Sequence, residues 1–339
     1  MTPKLLTQSR IFARSRVRAI EKPGIANRIA QVESDPVLGY GETRNPKRFY
    51  LFGPFIVRAD HWSAFTRQMR PDRRKQSMWM SESKSRPRLL LEWLVALVLN
   101  VIGGPGLDIA TRADVILVQR NVRLFYLDRG FTAKVARIGK EKRVRRELEH
   151  RRRIEKTIPE IPAVPIRAVD STNMLWMIEE IVEGRHATCH DDEVLLSSLC
   201  PSLARQYEAT WSATELVRNT RIGKAIRQRS ERNSTNSGPD SVQETLDSFL
   251  DKYVMIAVGH GDIRLHNIII SREGKPFLID WERSHSMPVV LDILDLACAS
   301  SRLGRFWNDW LSQFESPEAP LLRPEELLLI RENAVLRKN

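Results

Sequence analysis

Cysteine is scarce and neither glycine nor proline is abundant in this chain of 339 residues, and each of these facts excludes a class of protein. The three cysteines, Cys189, Cys200 and Cys298, form no CxxC pair, so neither a disulfide scaffold nor a structural zinc site is supported. With 16 glycines and 18 prolines, the chain is neither a collagen nor a low-complexity linker protein. We therefore expect a globular protein of a reducing compartment, the cytoplasm.

Long apolar runs are also missing. The first twenty residues lack the apolar stretch of a secretory signal. The one apolar run that stands out, residues 89–102, contains Glu92 and Asn100, whereas a helix that spans a bilayer needs roughly 20 mostly apolar residues. We expect a buried helix in this run and no transmembrane span. Peripheral contact with a membrane, through a helix that lies in its interface, is the alternative.

Acidic residues are the minority among the charged ones. The chain has 42 Asp and Glu against 54 Lys and Arg, which gives a net charge of +12 and a pI near 9.9. The basic residues cluster around positions 73–75, 142–146 and 151–153. No nucleic-acid reading motif and no interleaved aromatic residues accompany these clusters, so we expect no nucleic-acid partner. Solvated helix faces, or a rim that attracts an anionic substrate, explain the charge instead.

The pattern of apolar and polar residues changes near residue 110. Residues 1–110 are irregular in pattern, and we interpret them as an N-terminal extension of unclear role. After them, apolar alternation and turn signals predict five short strands and one charged helix in the order β-β-β-α-β-β. The strands are predicted at residues 114–119, 122–127, 131–137, 166–170 and 175–181, and the helix at residues 140–156. This order predicts a small five-stranded antiparallel sheet within residues 111–182.

The rest of the chain, residues 183–339, is predicted to be mainly helical. Apolar residues recur at helical spacing at residues 193–198, 202–217 and 242–253. These three segments predict helices that precede the chemical motifs described next.

Two polar motifs lie beside short apolar strands. Residues 258–270 read V-G-H-G-D-I-R-L-H-N-I-I-I, and residues 277–282 read F-L-I-D-W-E. A turn between the two strands would join them into a hairpin. Such a hairpin brings Asp262, Asn267 and Asp280 to one end, where they would face a common cleft.

With H-G-D-x4-N followed by I-D-W, and with the β-β-β-α-β-β order upstream, the sequence resembles the kinase-like phosphotransferases of the aminoglycoside phosphotransferase and choline kinase type. The resemblance covers residues 113–300. It implies an α+β, two-lobed protein kinase-like fold, with a small antiparallel N-lobe over residues 111–182 and a mainly helical C-lobe over residues 183–339. It also implies ATP-dependent transfer of a γ-phosphate to a hydroxyl of a small molecule, such as a sugar, an aminoglycoside or an amino alcohol.

The resemblance assigns roles to the motif residues. Phosphoryl transfer depends mostly on positioning and charge neutralisation. Asp262 is implied to be the catalytic base that orients the acceptor hydroxyl and takes its proton. Asn267 and Asp280 are implied to hold Mg²⁺, a hard ion that prefers amide and carboxylate oxygens. His260 is expected to support the loop, and residues 292–295 match the acidic segment that does so in the family.

A lysine in an apolar strand is expected to bind the nucleotide. Lys134 lies between Ala133 and Val135, where a lysine is costly unless it is paired. In the family this lysine holds the nucleotide phosphates, and a glutamate of the next helix fixes its direction. Glu147 is the favoured partner here, and Glu149 is the other candidate.

Residues 180–184, E-I-V-E-G, resemble the hinge segment of the family. The resemblance implies that Glu180, Ile181 and Val182 bind the adenine of ATP, with main-chain groups near the last two residues making the contacts.

One feature departs from the family pattern. The turn expected to bind phosphate, residues 119–121, reads Q-R-N and has no glycine. Arg120 or Asn121 could contact the phosphates instead, and we assign this role to neither. This departure motivates a second hypothesis, an inactive kinase-like protein that binds nucleotide or a partner. A third hypothesis, a basic binder of nucleic acid or of a membrane surface, rests on the net charge and on residues 89–102.

Overall fold

The computed structural model describes residues 20, 22–40, 47–52, 55–58, 107–109, 111–159, 161–233 and 240–333. The helix predicted within residues 89–102 lies outside these ranges. The chain divides into two compact units, and the division falls inside one long helix. The first unit is drawn from residues up to Glu149 and from Val164–His186, and the second from His150–Ala163 and from Ala187 onward. Residues 150–163 therefore belong to the second unit, whereas a single boundary at residue 182 would place them in the first.

The first unit contains an eight-stranded antiparallel sheet. Its strands are β1 Lys47–Phe52, β2 Phe55–Arg58, β3 Leu107–Ile109, β4 Val115–Val118, β5 Val122–Tyr126, β6 Phe131–Val135, β7 Ile166–Val169 and β8 Trp176–Glu180, and a short strand, β9 Gly184–His186, follows them. The order in the sheet is β3-β1-β2-β4-β5-β6-β8-β7, and every neighbouring pair is antiparallel. The five strands predicted after residue 110 are confirmed and lie side by side. The sheet is wider than predicted, because three strands from before residue 110 extend it beyond β4.

A helix from the N-terminal region, α1 Pro23–Ser34, packs on this sheet. Its apolar side chains recur at helical spacing and are buried in one core with those of the sheet: Ile25, Ile29 and Val32. Near the helix end, the buried carboxylate of Glu33 accepts hydrogen bonds from Thr111 Oγ1 at 2.5 Å and from the N–H of Arg112 at 2.7 Å. Part of the region interpreted as an extension is therefore built into the first unit.

The N-terminal part of the long helix α2, Glu141–Thr157, covers the other face of the sheet. Val144 of this helix is buried against Met177 of β8. Trp176 and Ile178, the neighbours of Met177, belong instead to the core beneath α1. Because side chains alternate between the two faces of a strand, α1 and α2 lie on opposite faces. The outer side of α2 carries exposed basic residues: Lys142, Arg145, Arg146, Arg152 and Arg153.

The second unit is mainly helical, with two small sheets. Its helices are α3 Asp192–Val194, α4 Cys200–Thr210, α5 Arg221–Asn233, α6 Asp240–Ser248, α7 Val289–Ala297, α8 Ser301–Ser312 and α9 Pro324–Asn333, and a π-helical turn, Leu195–Leu199, joins the first two. Its strands are β10 Ala213–Leu216, β11 Tyr253–Gly259, β12 Ile268–Ser271, β13 Pro276–Leu278 and β14 His285–Pro288. The antiparallel order β10-β11-β14 forms one sheet, and β12 pairs with β13 as the predicted hairpin.

The helix predicted at residues 202–217 is wrong at its C-terminal end. It ends at Thr210, whose Oγ1 accepts a hydrogen bond from the N–H of Val258 in β11 at 3.1 Å. This bond ties the chain to β11, and the residues that follow pair with β11 as the strand β10. The helix predicted at residues 242–253 also ends early, because β11 begins at Tyr253.

Large aromatic and branched side chains from α4, α7, α8 and β12 build the core of the second unit. Members of this core include Leu203, Tyr207, Ile268, Trp281, Ile293 and Trp307. In the described part of the chain, no helix is both long enough and apolar enough to cross a membrane.

Candidate active site

Lys134 and Glu147 form a buried ion pair in the first unit. Ala133 and Val135, the neighbours of Lys134 in β6, are buried in the core beneath α1. Lys134 therefore points to the other face of the sheet, which α2 covers. Its Nζ lies 2.6 and 2.7 Å from the two carboxylate oxygens of Glu147, and both side chains are buried. The structure thus pairs Lys134 with Glu147, whereas Glu149 is exposed.

The expected hinge residues are bonded to the sheet of the first unit. The carboxylate of Glu180 accepts a hydrogen bond from Arg167 Nε at 2.6 Å. The N–H of Ile181 donates to the carbonyl of Gly130 at 2.7 Å, so this donor is already used. The carbonyl of Ile181 and the main chain of Val182 are the remaining candidates for contact with a base.

The turn between β4 and β5 has three residues and no glycine. The N–H of Gln119 donates to the carbonyl of Asn121 at 3.0 Å, and Arg137 Nη1 donates to the carbonyl of Gln119 at 2.8 Å. Asn121 is buried and Arg120 is exposed. Of the two residues that could contact phosphate in place of a glycine loop, only Arg120 presents its side chain to solvent.

In the second unit, Asp292 of α7 holds the loop between β11 and β12. Its Oδ2 accepts a hydrogen bond from the N–H of His260 at 2.6 Å, and its Oδ1 accepts one from the N–H of Gly261 at 2.8 Å. The hydroxyl of Tyr207 donates to Oδ2 at 3.0 Å. Asp292 is only 2% exposed, so these bonds form away from solvent. A residue of the acidic segment thus supports the loop through its main chain.

Two glycines permit this close packing. A Cβ atom on Gly259 would lie 2.5 Å from Asp292 Oδ2, and one on Gly261 would lie 2.3 Å from the carbonyl oxygen of Arg283. Gly261 also has a φ of +85°, a conformation that residues with side chains rarely adopt. The glycines of G-H-G-D therefore reflect how tightly the loop packs against its neighbours.

His260 holds the loop to the segment that follows β13. Its buried ring lies edge-on to Trp281, with the ring centroids 4.6 Å apart, and its Nε2 is 3.0 Å from the carbonyl oxygen of Ile279. Because a carbonyl can only accept, Nε2 carries the proton. Burial lowers the pKa of His260, against the opposing effect of the negative charge on Asp292. His260 is therefore a neutral, structural residue of the loop.

Burial in this packing changes the pKa values of Asp292 and Tyr207. Burial raises the pKa of Asp292, while the N–H groups of His260 and Gly261, which donate hydrogen bonds to the carboxylate, act in the opposite direction. Burial also raises the pKa of Tyr207 well above its usual value, and the adjacent charge of Asp292 adds to that effect. Tyr207 therefore stays protonated and can act as a hydrogen-bond donor to Asp292.

The carboxylate of Asp262 is oriented by three side chains. Its Oδ1 lies 3.2 Å from Arg264 Nε and 3.6 Å from Arg283 Nη1. The Nδ2 of Asn267 donates to the carbonyl of Asp262 at 2.8 Å and lies 3.4 Å from its Oδ2. The side chain of Asp262 is 16% exposed, so a part of it reaches solvent. The loop thus presents an oriented carboxylate.

The β12–β13 hairpin brings Asn267 and Asp280 together. Ile268 pairs with Leu278, and beyond this pair the N–H of Ile279 donates to the carbonyl of Asn267 at 3.0 Å. Asp280 follows with φ of 68° and ψ of 57°, a left-handed conformation that is strained for a residue with a side chain. The prediction that Asn267 and Asp280 share one end of a hairpin is confirmed.

The side chains of Asn267 and Asp280 fit a magnesium ion. The amide nitrogen of Asn267 is used by Asp262, which leaves the amide oxygen to act as a ligand, and Asp280 supplies a carboxylate. Both are the hard oxygen donors that Mg²⁺ prefers. In the described part of the chain, no three His, Cys, Asp or Glu side chains converge on one point. Magnesium would therefore complete its coordination with phosphate oxygens and water, as it commonly does.

Comparison with known proteins assigns this geometry to a family. Residues 118–319, more than half of the chain, match the phosphotransferase enzyme family. The chain therefore belongs to that family, and the resemblance based on H-G-D-x4-N is confirmed. Together with the antiparallel sheet of one unit and the helices of the other, this membership confirms the predicted α+β, protein kinase-like fold class. No curated protein sequence matches the chain.

Solved structures of similar fold include three phosphotransferases. Choline kinase LicA from Streptococcus pneumoniae is 19% identical, with 64% of this chain and 79% of that chain covered and a TM-score of 0.41. Macrolide 2'-phosphotransferase MphH from Brachybacterium faecium is 13% identical, with 70% and 87% covered and a TM-score of 0.42. An aminoglycoside phosphotransferase from Alicyclobacillus acidocaldarius is 14% identical, with 64% and 86% covered and a TM-score of 0.38.

Three residues of the site were not predicted from the sequence. Arg264 occupies a variable position of H-G-D-x4-N, and Arg283 follows Asp280 by three residues, so proximity to the motifs was the available signal for both. Tyr207 carried no such signal, because its partner Asp292 is 85 positions away along the chain.

Proposed function

We propose that this chain is an ATP-dependent phosphotransferase that moves the γ-phosphate to a hydroxyl of a small molecule, with magnesium as the metal. The resemblance implies acceptors of the sugar, aminoglycoside or amino alcohol type. The observation that carries the proposal is the loop between β11 and β12, which holds Asp262 beside Asn267 on a main chain bonded to Asp292. Membership of the phosphotransferase enzyme family supports the same activity.

Asp262 is the proposed catalytic base. Its oriented carboxylate would accept a hydrogen bond from the acceptor hydroxyl and direct that oxygen at the γ-phosphorus. As the new P–O bond forms and the bond to the β-phosphate oxygen breaks, Asp262 would take the hydroxyl proton and ADP would leave. Neutral His260 takes no part in this proton transfer, because its protonated nitrogen is bonded to a carbonyl.

Lys134 is the proposed phosphate-binding residue of the first unit, and Glu147 fixes the direction of its side chain. The main chain of residues 181–182 is proposed to contact the adenine. Asn267 and Asp280 are proposed to hold Mg²⁺, which neutralises phosphate charge when bound. A cytoplasmic location accords with the three free cysteines.

Turnover of ATP with a panel of hydroxyl compounds tests the role of Asp262. Because a positioned base contributes about 10²–10⁴ in rate, Asp262→Asn should lower turnover by that factor with an unchanged melting temperature. Asp309→Asn, a change at an exposed acid of α8, is the matched control and should keep full activity. Full turnover by Asp262→Asn with a true acceptor would refute the proposed mechanism.

Calorimetric titration of the nucleotide, with and without magnesium, tests the proposed metal ligands. Asp280→Ala should abolish the gain in nucleotide affinity that magnesium gives the unchanged protein. The metal assignment is wrong if Asp280→Ala leaves that gain intact.

A nucleotide-binding relative without catalysis is the second candidate. The glycine-free turn at residues 119–121 favours it. This candidate predicts magnesium-dependent binding of ATP and no turnover with any acceptor of the panel.

A further inference from the structure

Two guanidinium groups flank the carboxylate of the proposed base. Arg264 Nε lies 3.2 Å and Arg283 Nη1 lies 3.6 Å from Asp262 Oδ1. Both arginine side chains are partly exposed, at 33% and 29%, on the same carboxylate that reaches solvent. The acceptor side of the loop therefore carries positive charge next to the oxygen proposed to take the proton.

Arg264 is held in place through its Nε alone. This atom also lies 3.0 Å from Asp295 Oδ2, and Asp295 Oδ1 in turn accepts a hydrogen bond from Arg331 Nη1 of α9 at 2.6 Å. Within the described residues, the two terminal nitrogens of Arg264 make no hydrogen bond. Arg264 is thus fixed by a chain of contacts that reaches α9, with the end of its fork available to a ligand.

Arg283 is less constrained still. Among the described residues, the one polar contact of its side chain is the ion pair with Asp262, and the 3.6 Å separation exceeds a hydrogen bond. The guanidinium of Arg283 therefore has all its donors available to a ligand at the same carboxylate.

A third arginine lies within electrostatic reach of the loop. Arg221 is the first residue of α5, and partial burial lowers its pKa while the negative charge of Asp292 acts in the opposite direction. Asp292 is the residue that bonds the loop main chain, so Arg221 adds positive potential on the same part of the second unit.

The carboxylates that contact this loop already have partners. Asp262 faces two arginines, Asp295 faces Arg264 and Arg331, and Asp292 is buried with three hydrogen bonds. A cationic acceptor would have to displace an arginine from one of them. It would also meet like charge at close range, which is unfavourable.

We propose that the acceptor carries an anionic group, a phosphate or a carboxylate, near the hydroxyl that is phosphorylated, and that Arg264 and Arg283 bind this group. The inference rests on the proposed phosphotransferase activity and names its substrate class. Guanidinium forks match the oxygens of phosphate and carboxylate with paired, charge-assisted hydrogen bonds. The free donors of Arg264 and Arg283 supply that match beside Asp262.

Three sets of hydroxyl compounds test the substrate class on the full-length protein. The sets carry a phosphate or carboxylate group, no charge, or an amino group, and kcat/KM is measured for each with ATP and magnesium. We expect the anionic set to exceed the neutral and cationic sets by about tenfold or more. Separate phosphate and carboxylate members show which of the two anions the site prefers.

Substitution of the arginines tests the site itself. Arg264→Gln and Arg283→Gln should each lower kcat/KM for the anionic acceptor by about 10- to 100-fold and leave KM for ATP within about twofold. Arg264→Lys keeps the charge and loses the two-pronged guanidinium, so its kcat/KM for the anionic acceptor should lie between those of the unchanged protein and Arg264→Gln. Arg302→Gln is the control, since Arg302 is an exposed arginine whose side chain lies 3.5 Å from Asp192.

Several results would overturn the inference. One is a preference for cationic or neutral acceptors. Another is a rise in KM for ATP in the arginine variants that is as large as their loss in kcat/KM for the acceptor. That rise would show that the arginines bind the nucleotide. If no compound is phosphorylated, calorimetric binding of the anionic set in the presence of magnesium and a non-hydrolysable ATP analogue decides. Absence of binding, or binding that Arg264→Gln and Arg283→Gln do not weaken, refutes the anionic site, whereas binding without turnover refutes only the proposed activity.

Discussion

The ion pair of the first unit and the loop of the second unit position charged groups in different ways. Lys134 lies on the strand β6 and Glu147 on the helix α2. Because side chains alternate between the two faces of β6, Lys134 points to the face on which the apolar side of α2 packs, and there it contacts Glu147. Asp262 instead lies in a loop whose main-chain N–H groups donate hydrogen bonds to Asp292. The first arrangement depends on regular secondary structure, and the second on contacts between segments far apart in the chain.

The two arrangements should respond differently, in their free energy of unfolding, to the replacement of a charged residue. A buried ion pair is sensitive to the loss of one partner but tolerates replacement of both by apolar groups. A buried carboxylate that accepts several hydrogen bonds admits no such replacement, because the main-chain donors remain when it is removed. Four experiments test or sharpen this comparison.

Loss of the acceptor beneath the loop should have the largest effect. Asp292→Ala leaves the N–H groups of His260 and Gly261 and the hydroxyl of Tyr207 without their acceptor. At about 1.5–3 kcal/mol for each of the three bonds to a charged group, the free energy of unfolding should fall by about 4.5–9 kcal/mol. Chemical denaturation measures it, and the exposed Asp309→Ala should change it by less than about 0.5 kcal/mol. A similar small change for Asp292→Ala would contradict the account of the loop.

Loss of one member of the ion pair comes next. Lys134→Met should lower the free energy of unfolding by about 3–5 kcal/mol, because the carboxylate of Glu147 stays buried after the ammonium of this ion pair is removed. The double variant Lys134→Met/Glu147→Leu should recover most of that loss, since both charges are then gone. Denaturation of the two variants measures the recovery. A double variant less stable than Lys134→Met would show that the pair stabilises the fold more than its apolar replacement.

The close approach at Gly261 has a matched control in the same unit. Gly261→Ala places a Cβ 2.3 Å from a main-chain oxygen at a positive φ, and should lower the free energy of unfolding by about 2–4 kcal/mol. Gly274 has a similar φ of +78° and nothing within 4 Å of its Cβ position, so Gly274→Ala should cost about 1 kcal/mol. The difference measured by denaturation isolates the packing of the loop. Equal losses would show that φ alone requires glycine at position 261.

The smallest expected effect is a dependence on pH. The pKa of His260 is lowered in the fold, so below about pH 6.5 the unfolded chain takes up a proton that the folded chain does not, and stability falls. The raised pKa of Asp292 acts in the opposite direction at lower pH, because the folded chain then gains a proton first. His260→Gln can keep a donor to Ile279 and removes the titration. We compare the free energy of unfolding at about pH 7.5 and about pH 5.5. The fall between these two values should be about 1 kcal/mol smaller for His260→Gln than for the unchanged protein. Identical slopes would show that His260 does not titrate as described.

The sequence predicts what depends on local pattern. The five strands after residue 110, the β12–β13 hairpin and the burial of Lys134 all follow from alternation and turns, and the structure agrees. Strand β10 was missed, because its formation depends on the bond from Val258 to Thr210 and on pairing with β11. Arg283 was missed for the same reason, because it reaches the loop only once the chain has folded back. Arg264 lies two residues after Asp262, and its place in H-G-D-x4-N was the available signal.

Nucleotide affinity, measured side by side for Lys134→Met and Asp262→Asn, tests the division of roles between the two regions most directly. Lys134→Met should weaken binding of ATP by about tenfold or more, because the proposed charged contact with phosphate is lost. Asp262→Asn should leave that affinity within about twofold while turnover with an acceptor falls by about 10²–10⁴. The account is contradicted if Asp262→Asn weakens nucleotide binding as much as Lys134→Met does, or if Lys134→Met leaves it unchanged.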